Sequence, residues 1–202
     1  MTYKKPKPSH HPLVDSGPLS SLYKNLIKCK ECSRIVDFRT KVAENKRKQF
    51  LDWKYWGKPI PGFGGNRTGR VFTGDKSADF LVKCLYDVGI TNQPNSEHLL
   101  DGLVMNNAFM TPVLKCVPPY DKPTADELKQ CSPYFSKEML ILENIKIILA
   151  LGKIGFDGYL KYIRTSYSIK MKDYPFGHNK RYNLPNGKIL WASYHPSPRN
   201  VN

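Results

Sequence analysis

No apolar run in this chain approaches the ~20 residues needed to cross a bilayer; the longest, Ile147–Leu151, is strand-sized. The N-terminal stretch Met1–His11 is basic and Pro-rich without an apolar core, so nothing in it marks export. There is no internal repeat, and no low-complexity segment beyond that first stretch. Acidic residues are scarce: 17 Asp and Glu stand against 32 Lys and Arg, a net charge of +15. Residues 1–48 carry +8 of it, leaving +7 on the remainder. An excess that persists beyond a tail points to a polyanionic partner, most simply nucleic acid, although charge supplies neither sequence specificity nor catalysis.

What is present is a globular composition. Forty percent hydrophobic residues, with 12 Tyr, 9 Phe and 3 Trp, exclude a disordered chain, and 202 residues suffice for one well-buried core. Residues 1–14 read as a basic flexible tail and 15–202 as a single domain. Asp15-Ser16 offers N-caps for a helix with an apolar stripe at Leu19, Leu22, Tyr23, Leu26 and Ile27. A second, basic helix is expected from Arg39 to about Phe50, and a third from Ser77 to Val88 burying Phe80, Leu81, Cys84, Leu85 and Val88. Ala108–Lys115 reads as a strand. Thr124-x-x-Glu127 is a capping box for a helix running to about Leu142, with Pro133 as a possible kink. Ile145–Leu151 has the continuous apolar character of a strand buried on both faces, followed by a helix to Ile163, and Lys188–Ser193 is the last strand. Strands alternating with helices predict an α/β fold with a mostly parallel sheet, whose site lies beyond the carboxyl ends of the strands.

Four of the five cysteines form a pattern. Cys29 and Cys32 make a C-x-x-C pair, and Cys116 and Cys131 a wider one with fourteen residues between them. Two distant pairs can complete a tetrahedral zinc site or a four-cysteine iron–sulfur cluster, and the wide second spacing counts against a zinc ribbon. Ordinary buried thiols are the bland alternative. Without an export signal, the set reads as cytoplasmic, reduced and metal-binding.

Two further segments stand out. Gly65-Asn66-Arg67-Thr68-Gly69-Arg70-Val71-Phe72-Thr73-Gly74-Asp75 combines glycines that allow close backbone approach with arginines suited to phosphates. Ser193-Tyr194-His195-Pro196-Ser197-Pro198-Arg199 places a histidine directly after a strand. On bare sequence His195 can equally be a structural hydrogen-bonder, and Asp75 the N-cap of the helix at Ser77. A nucleotide-binding reading built on Gly152 and Gly155 is weak, because no phosphate-gripping Lys-Ser/Thr pair accompanies them.

In order, the C-x-x-C, the Trp53–Gly64 stretch, GNRTGRVFTGD, KCVPP…KPT…C, ILALG and SYHPSPRN resemble the type-5, iron–sulfur branch of the uracil-DNA glycosylase superfamily, from about Leu22 onward. The resemblance implies a three-layer α/β sandwich, with a mostly parallel central sheet flanked by helices, that flips uracil and some other deaminated bases out of DNA. It would excise them as a monomer without membrane association. It implies a 4Fe–4S cluster on Cys29, Cys32, Cys116 and Cys131. Phe72 would stack on the flipped base, with Gly65 and Asn66 beside it; Asp75 would orient water, and His195 would hydrogen-bond the departing uracil. Arg67, Arg70, Ser197 and Arg199 would contact DNA.

Three departures accompany it. Pro61-Gly62-Phe63-Gly64 runs straight into Gly65, where the family has roughly 15–20 further residues forming one strand and a Gly-Leu-Ala-Pro-type loop; the family also continues into a helix beyond Asn202. Asp121 stands where the type-5 members tend to carry Asn. The alternative expectation is therefore a catalytically weakened iron–sulfur DNA-binding relative.

Overall fold

The computed structural model describes residues 17–45, 56–63, 71–97, 101–197 and 200. The tail, the Trp53-Lys54-Tyr55 part of the aromatic stretch and the Gly64–Gly65 junction lie outside them.

The first apolar stripe forms helix α1 (Ser20–Leu26), whose Leu22, Tyr23 and Leu26 join Leu19 in a buried cluster against Phe109 and Tyr134. Helix α2 is Ser33–Glu44. It starts earlier than expected because the extended backbone of Cys32 serves as its N-cap and the fully buried Ile35 anchors its first turn. Helix α3 (Lys76–Asp87) buries Ala78, Leu81 and Val82, the last packed with Phe63, Leu103 and Met105. Burying that face leaves Phe80, Val88 and Cys84 exposed, so Cys84 is not the core residue its place on the stripe suggests. The expected strand Ala108–Lys115 is not one. Among the described residues it makes a single antiparallel bridge, Phe63 to Met110, and Pro112 interrupts a ladder by removing a donor.

Helix α4 (Ala125–Ile141) opens with the full capping box: Glu127 N donates to Thr124 Oγ1, and Thr124 N to Glu127 Oε2. Arg34 of α2 adds a two-pronged ion pair to the same carboxylate, at 2.7 and 2.8 Å. The helix runs through Pro133 unbroken. Pro133 cannot donate to the carbonyl of Lys129, and the Ser132 hydroxyl donates to that carbonyl instead, at 2.8 Å.

Strand β1 (Ile147–Leu151) pairs parallel with β3 (Ile189–Ser193), and β2 (Lys180–Asn183) pairs antiparallel with β3. The order β1-β3-β2 makes a three-stranded mixed sheet among the described residues, within an α/β arrangement. Helix α5 (Lys153–Ile163) connects β1 back toward the sheet and packs Phe156, Tyr159, Leu160 and Ile163 onto Ala150, Leu190 and Ala192. Each such burial contributes about 1.5–3 kcal/mol. The opposite face differs from expectation. Ile147 and Leu149 remain 58% and 51% exposed beside the partly exposed Trp191, so among the described residues β1 is covered on one face only. No helix among the described residues is long and apolar enough to cross a membrane.

Candidate functional site

His195 follows β3 at the carboxyl end of the parallel pair. Its loop is braced from several sides. Ser197 N donates to the His195 carbonyl at 2.7 Å, and Asn200 Nδ2 donates to the same carbonyl at 2.8 Å and to Ser197 Oγ at 3.2 Å. Gly152, at the end of β1, has φ +85°, and a Cβ there would stand 3.3 Å from the Cβ of His195. A side chain at 152 would therefore meet both a strained backbone and the histidine. His178 supports the strand end: its Nδ1 accepts from Tyr194 N at 3.3 Å and lies 3.3 Å from Ser193 Oγ, while its ring packs on Tyr194 at 5.1 Å.

The Gly-rich loop brings Phe72 to this histidine, ring centroids 5.4 Å apart and tilted 34°. Phe72 has φ +57°, uncommon for an aromatic, and the buried Ser96 pins it by donating to the Phe72 carbonyl at 2.8 Å. Gly74 N returns a bond to the Ser96 carbonyl. Asp75 caps α3, its Oδ1 accepting from Ala78 N at 2.7 Å. The structural alternative for Asp75 thus holds, yet one carboxylate oxygen suffices for it. Asp121 lies in a short 3₁₀ turn, Pro119–Asp121, in which Tyr120 and Asp121 both have φ +56°. Burial lowers the pKa of His195 below the ordinary imidazole value, while the charges of Asp75 and Asp121 partly offset this. Phe72 thus lies against His195, and Asp75 and Asp121 are near enough for their charges to act on its ring.

Apart from this, the four patterned cysteines line a cavity, together with Leu26, Ile35, Arg39, Lys115 and Tyr134. They come from the α1–α2 junction, the segment after Leu114, and α4. Lys115 N donates to Cys131 Sγ at 3.2 Å, and Arg39 Nη1 to Cys116 Sγ at 3.0 Å. Burial raises the thiol pKa values of Cys32, Cys116 and Cys131, the last to about 11, and the other sulfurs raise them further. Among the described residues no group of three or more His, Cys, Asp or Glu is arranged to hold a metal ion.

Gly65, Asn66, Arg67, Arg70 and Arg199 lie outside the described residues, whereas Ser197 takes part in the His195 loop. His178, Ser96, Asn200 and Arg39 were missed by sequence reasoning. The Pro185-Asn186-Gly187 turn could have revealed the hairpin that carries His178, since Asn-Gly is a strong hairpin signal. Nothing comparable marks Ser96.

An α/β chain with a histidine, an aromatic ring and two carboxylates at its strand ends, and with a separate four-cysteine cavity, has clear relatives. The model of the uracil DNA glycosylase superfamily matches residues 59–202, and the chain belongs to that superfamily. It is 35% identical to a type-5 uracil-DNA glycosylase of Mycobacterium tuberculosis, over 92% of this chain and 75% of that protein. It is 34% identical to those of Thermus thermophilus (87% and 85% covered) and Pyrobaculum aerophilum (88% and 81%). The Mycobacterium alignment spans 204 positions while drawing on 92% of 202 residues, about 186, so about 18 positions have no residue in this chain.

Proposed function

We propose that the protein is a DNA repair glycosylase that hydrolyses the N-glycosidic bond of uracil, and of other deaminated bases, in DNA. The observation that carries this reading is the contact of Phe72 with His195 at the strand end, within reach of the Asp75 charge, in a chain belonging to the uracil DNA glycosylase superfamily. Extrahelical uracil stacks on Phe72, which helps offset the few kcal/mol of unstacking. As the glycosidic bond breaks, its electrons pass to uracil, and His195 donates a hydrogen bond to the carbonyl where negative charge gathers. The Asp75 oxygen that does not cap α3 orients the water that bonds to the sugar carbon; the products are free base and an abasic site. Gly65 and Asn66 contribute to binding the base, and Arg67, Arg70, Ser197 and Arg199 to binding the DNA.

A 4Fe–4S cluster on Cys29, Cys32, Cys116 and Cys131 belongs to the same reading. The chemistry of the donor set fits, although the sulfurs are not drawn together around a single ion: four thiols line one cavity, two already receive hydrogen bonds, and a buried guanidinium nitrogen, Arg39 Nε, has no partner among the described residues. When bound, the cluster would staple the α1–α2 junction to α4. The finer architecture, a three-layer sandwich with a mostly parallel sheet, the monomeric state and a cytoplasmic setting suited to free thiols complete the proposal.

The half-exposed Ile147 and Leu149, with the 18 unmatched positions, favour a second reading: a DNA-binding relative with weakened catalysis. Incubation with uracil-containing duplex separates the two. Free uracil and an alkali-labile abasic site support the glycosylase; stoichiometric binding without release supports the weakened relative.

A further inference from the structure

The guanidinium of Arg39 is spread across the cysteine cavity. Nη1 donates to Cys116 Sγ at 3.0 Å and Nη2 to the Cys29 carbonyl at 2.6 Å, so one side chain ties the two cysteine pairs together. Its Nε is buried and, of the described buried side-chain nitrogens and oxygens, it alone lacks a partner. Leaving a charged donor buried without an acceptor is costly, on the order of 1–3 kcal/mol, and such an atom calls for an acceptor that enters later. The cavity supplies the context, because Cys29, Cys32, Cys116 and Cys131 line it with Arg39. Ionising four neighbouring thiols concentrates negative charge that nearby cations must offset. Lys115 cannot do this freely, since its ammonium is engaged with Glu138 and Thr111.

We propose that Arg39 is a positioning residue for the iron–sulfur group: it holds the Cys116 sulfur, offers its third donor to that group, and raises the group's reduction potential. The inference rests on the cluster reading above. Hydrogen bonds to cluster sulfurs and local positive charge favour the more negative, reduced form, so removing both lowers the potential. Arg39 is not placed at the base pocket, so its effect is read on the cluster and not on excision.

The test compares anaerobically purified wild type, Arg39→Gln and Arg39→Lys by iron and sulfide content, visible absorbance, redox titration and rate of bleaching in air. Arg39→Gln is expected to shift the midpoint potential to a more negative value and to bleach faster. Arg39→Lys, which keeps charge but loses the fork, should shift it less. An Arg39→Gln protein with native far-UV circular dichroism but no iron also supports the role, and if Arg39→Gln does not fold, Arg39→Lys carries the comparison. Wild-type iron with equal potentials and equal bleaching in the variants would overturn the inference. Wild type that holds no iron or sulfide would instead overturn the cluster reading beneath it.

Discussion

Lys115→Met tests how the core tolerates its buried charges. Lys115 and Glu138 are 1% and 0% exposed and pair at 2.5 Å. Glu138 also accepts from Tyr23 OH at 2.9 Å and Thr111 Oγ1 at 2.7 Å, and Gly62 N donates to Tyr23 OH. The network therefore joins α1, the Gly62 turn, the segment before Cys116 and α4. Methionine keeps the length of lysine but removes the cation, leaving a buried carboxylate with two neutral donors. Breaking a buried pair on one side costs about 3–5 kcal/mol. For a domain near 200 residues, at about 2–4 °C per kcal/mol, that is a fall of roughly 6–20 °C in Tm. The double variant Lys115→Met/Glu138→Leu should regain much of the loss, because neither charge is then stranded. Urea unfolding followed by circular dichroism gives all four corners of the cycle. A single variant costing under about 1 kcal/mol, or a double variant no better than the single, would refute the reasoning.

The pKa of His195 is lowered in the fold, so folding favours its neutral form. That contribution is present above the ordinary imidazole pKa of about 6.5 and is lost as pH falls through the lower folded value. In an NMR titration, Asp75→Asn should lower the His195 midpoint further and Phe72→Ala should raise it; no movement in either would mean that they do not face the ring. Cys116→Ser should abolish the broad absorbance near roughly 400 nm expected of a cluster, while Cys84→Ser, on the exposed side of α3, should leave it intact. If Arg67, Arg70 and Arg199 each meet a phosphate, replacing one should flatten the salt dependence of DNA affinity by about 0.7–0.9 log units per log unit of salt. Unchanged slopes in all three would move the DNA path elsewhere.

Local signals proved the most legible. The capping box at Thr124 and Glu127 forms as its spacing implies, and the run Ile147–Leu151 followed by glycine is a strand leading into α5. Long-range choices were less visible. Cys84 lies on a helical stripe whose neighbours are apolar, but which stripe faces inward depends on Phe63 and Leu103, far away in sequence. The exposure of Ile147 and Leu149 depends on what lies beside β1, which the apolar run cannot reveal. The site divides in the same way. A histidine after a strand was readable, whereas Ser96, which holds Phe72, and His178, which braces Tyr194, act through contacts 24 and 16 residues apart. Arg39 read only as the start of a basic helix until the fold set it against Cys116.

Single-turnover excision from a uracil-containing duplex, comparing wild type with His195→Ala, tests the central claim most directly. The account predicts release of free uracil and an abasic site by the wild type. It predicts a rate lower by on the order of 10²–10³ in His195→Ala, with DNA affinity retained. Tight binding of the duplex with no uracil released, or equal rates in the two proteins, would contradict it.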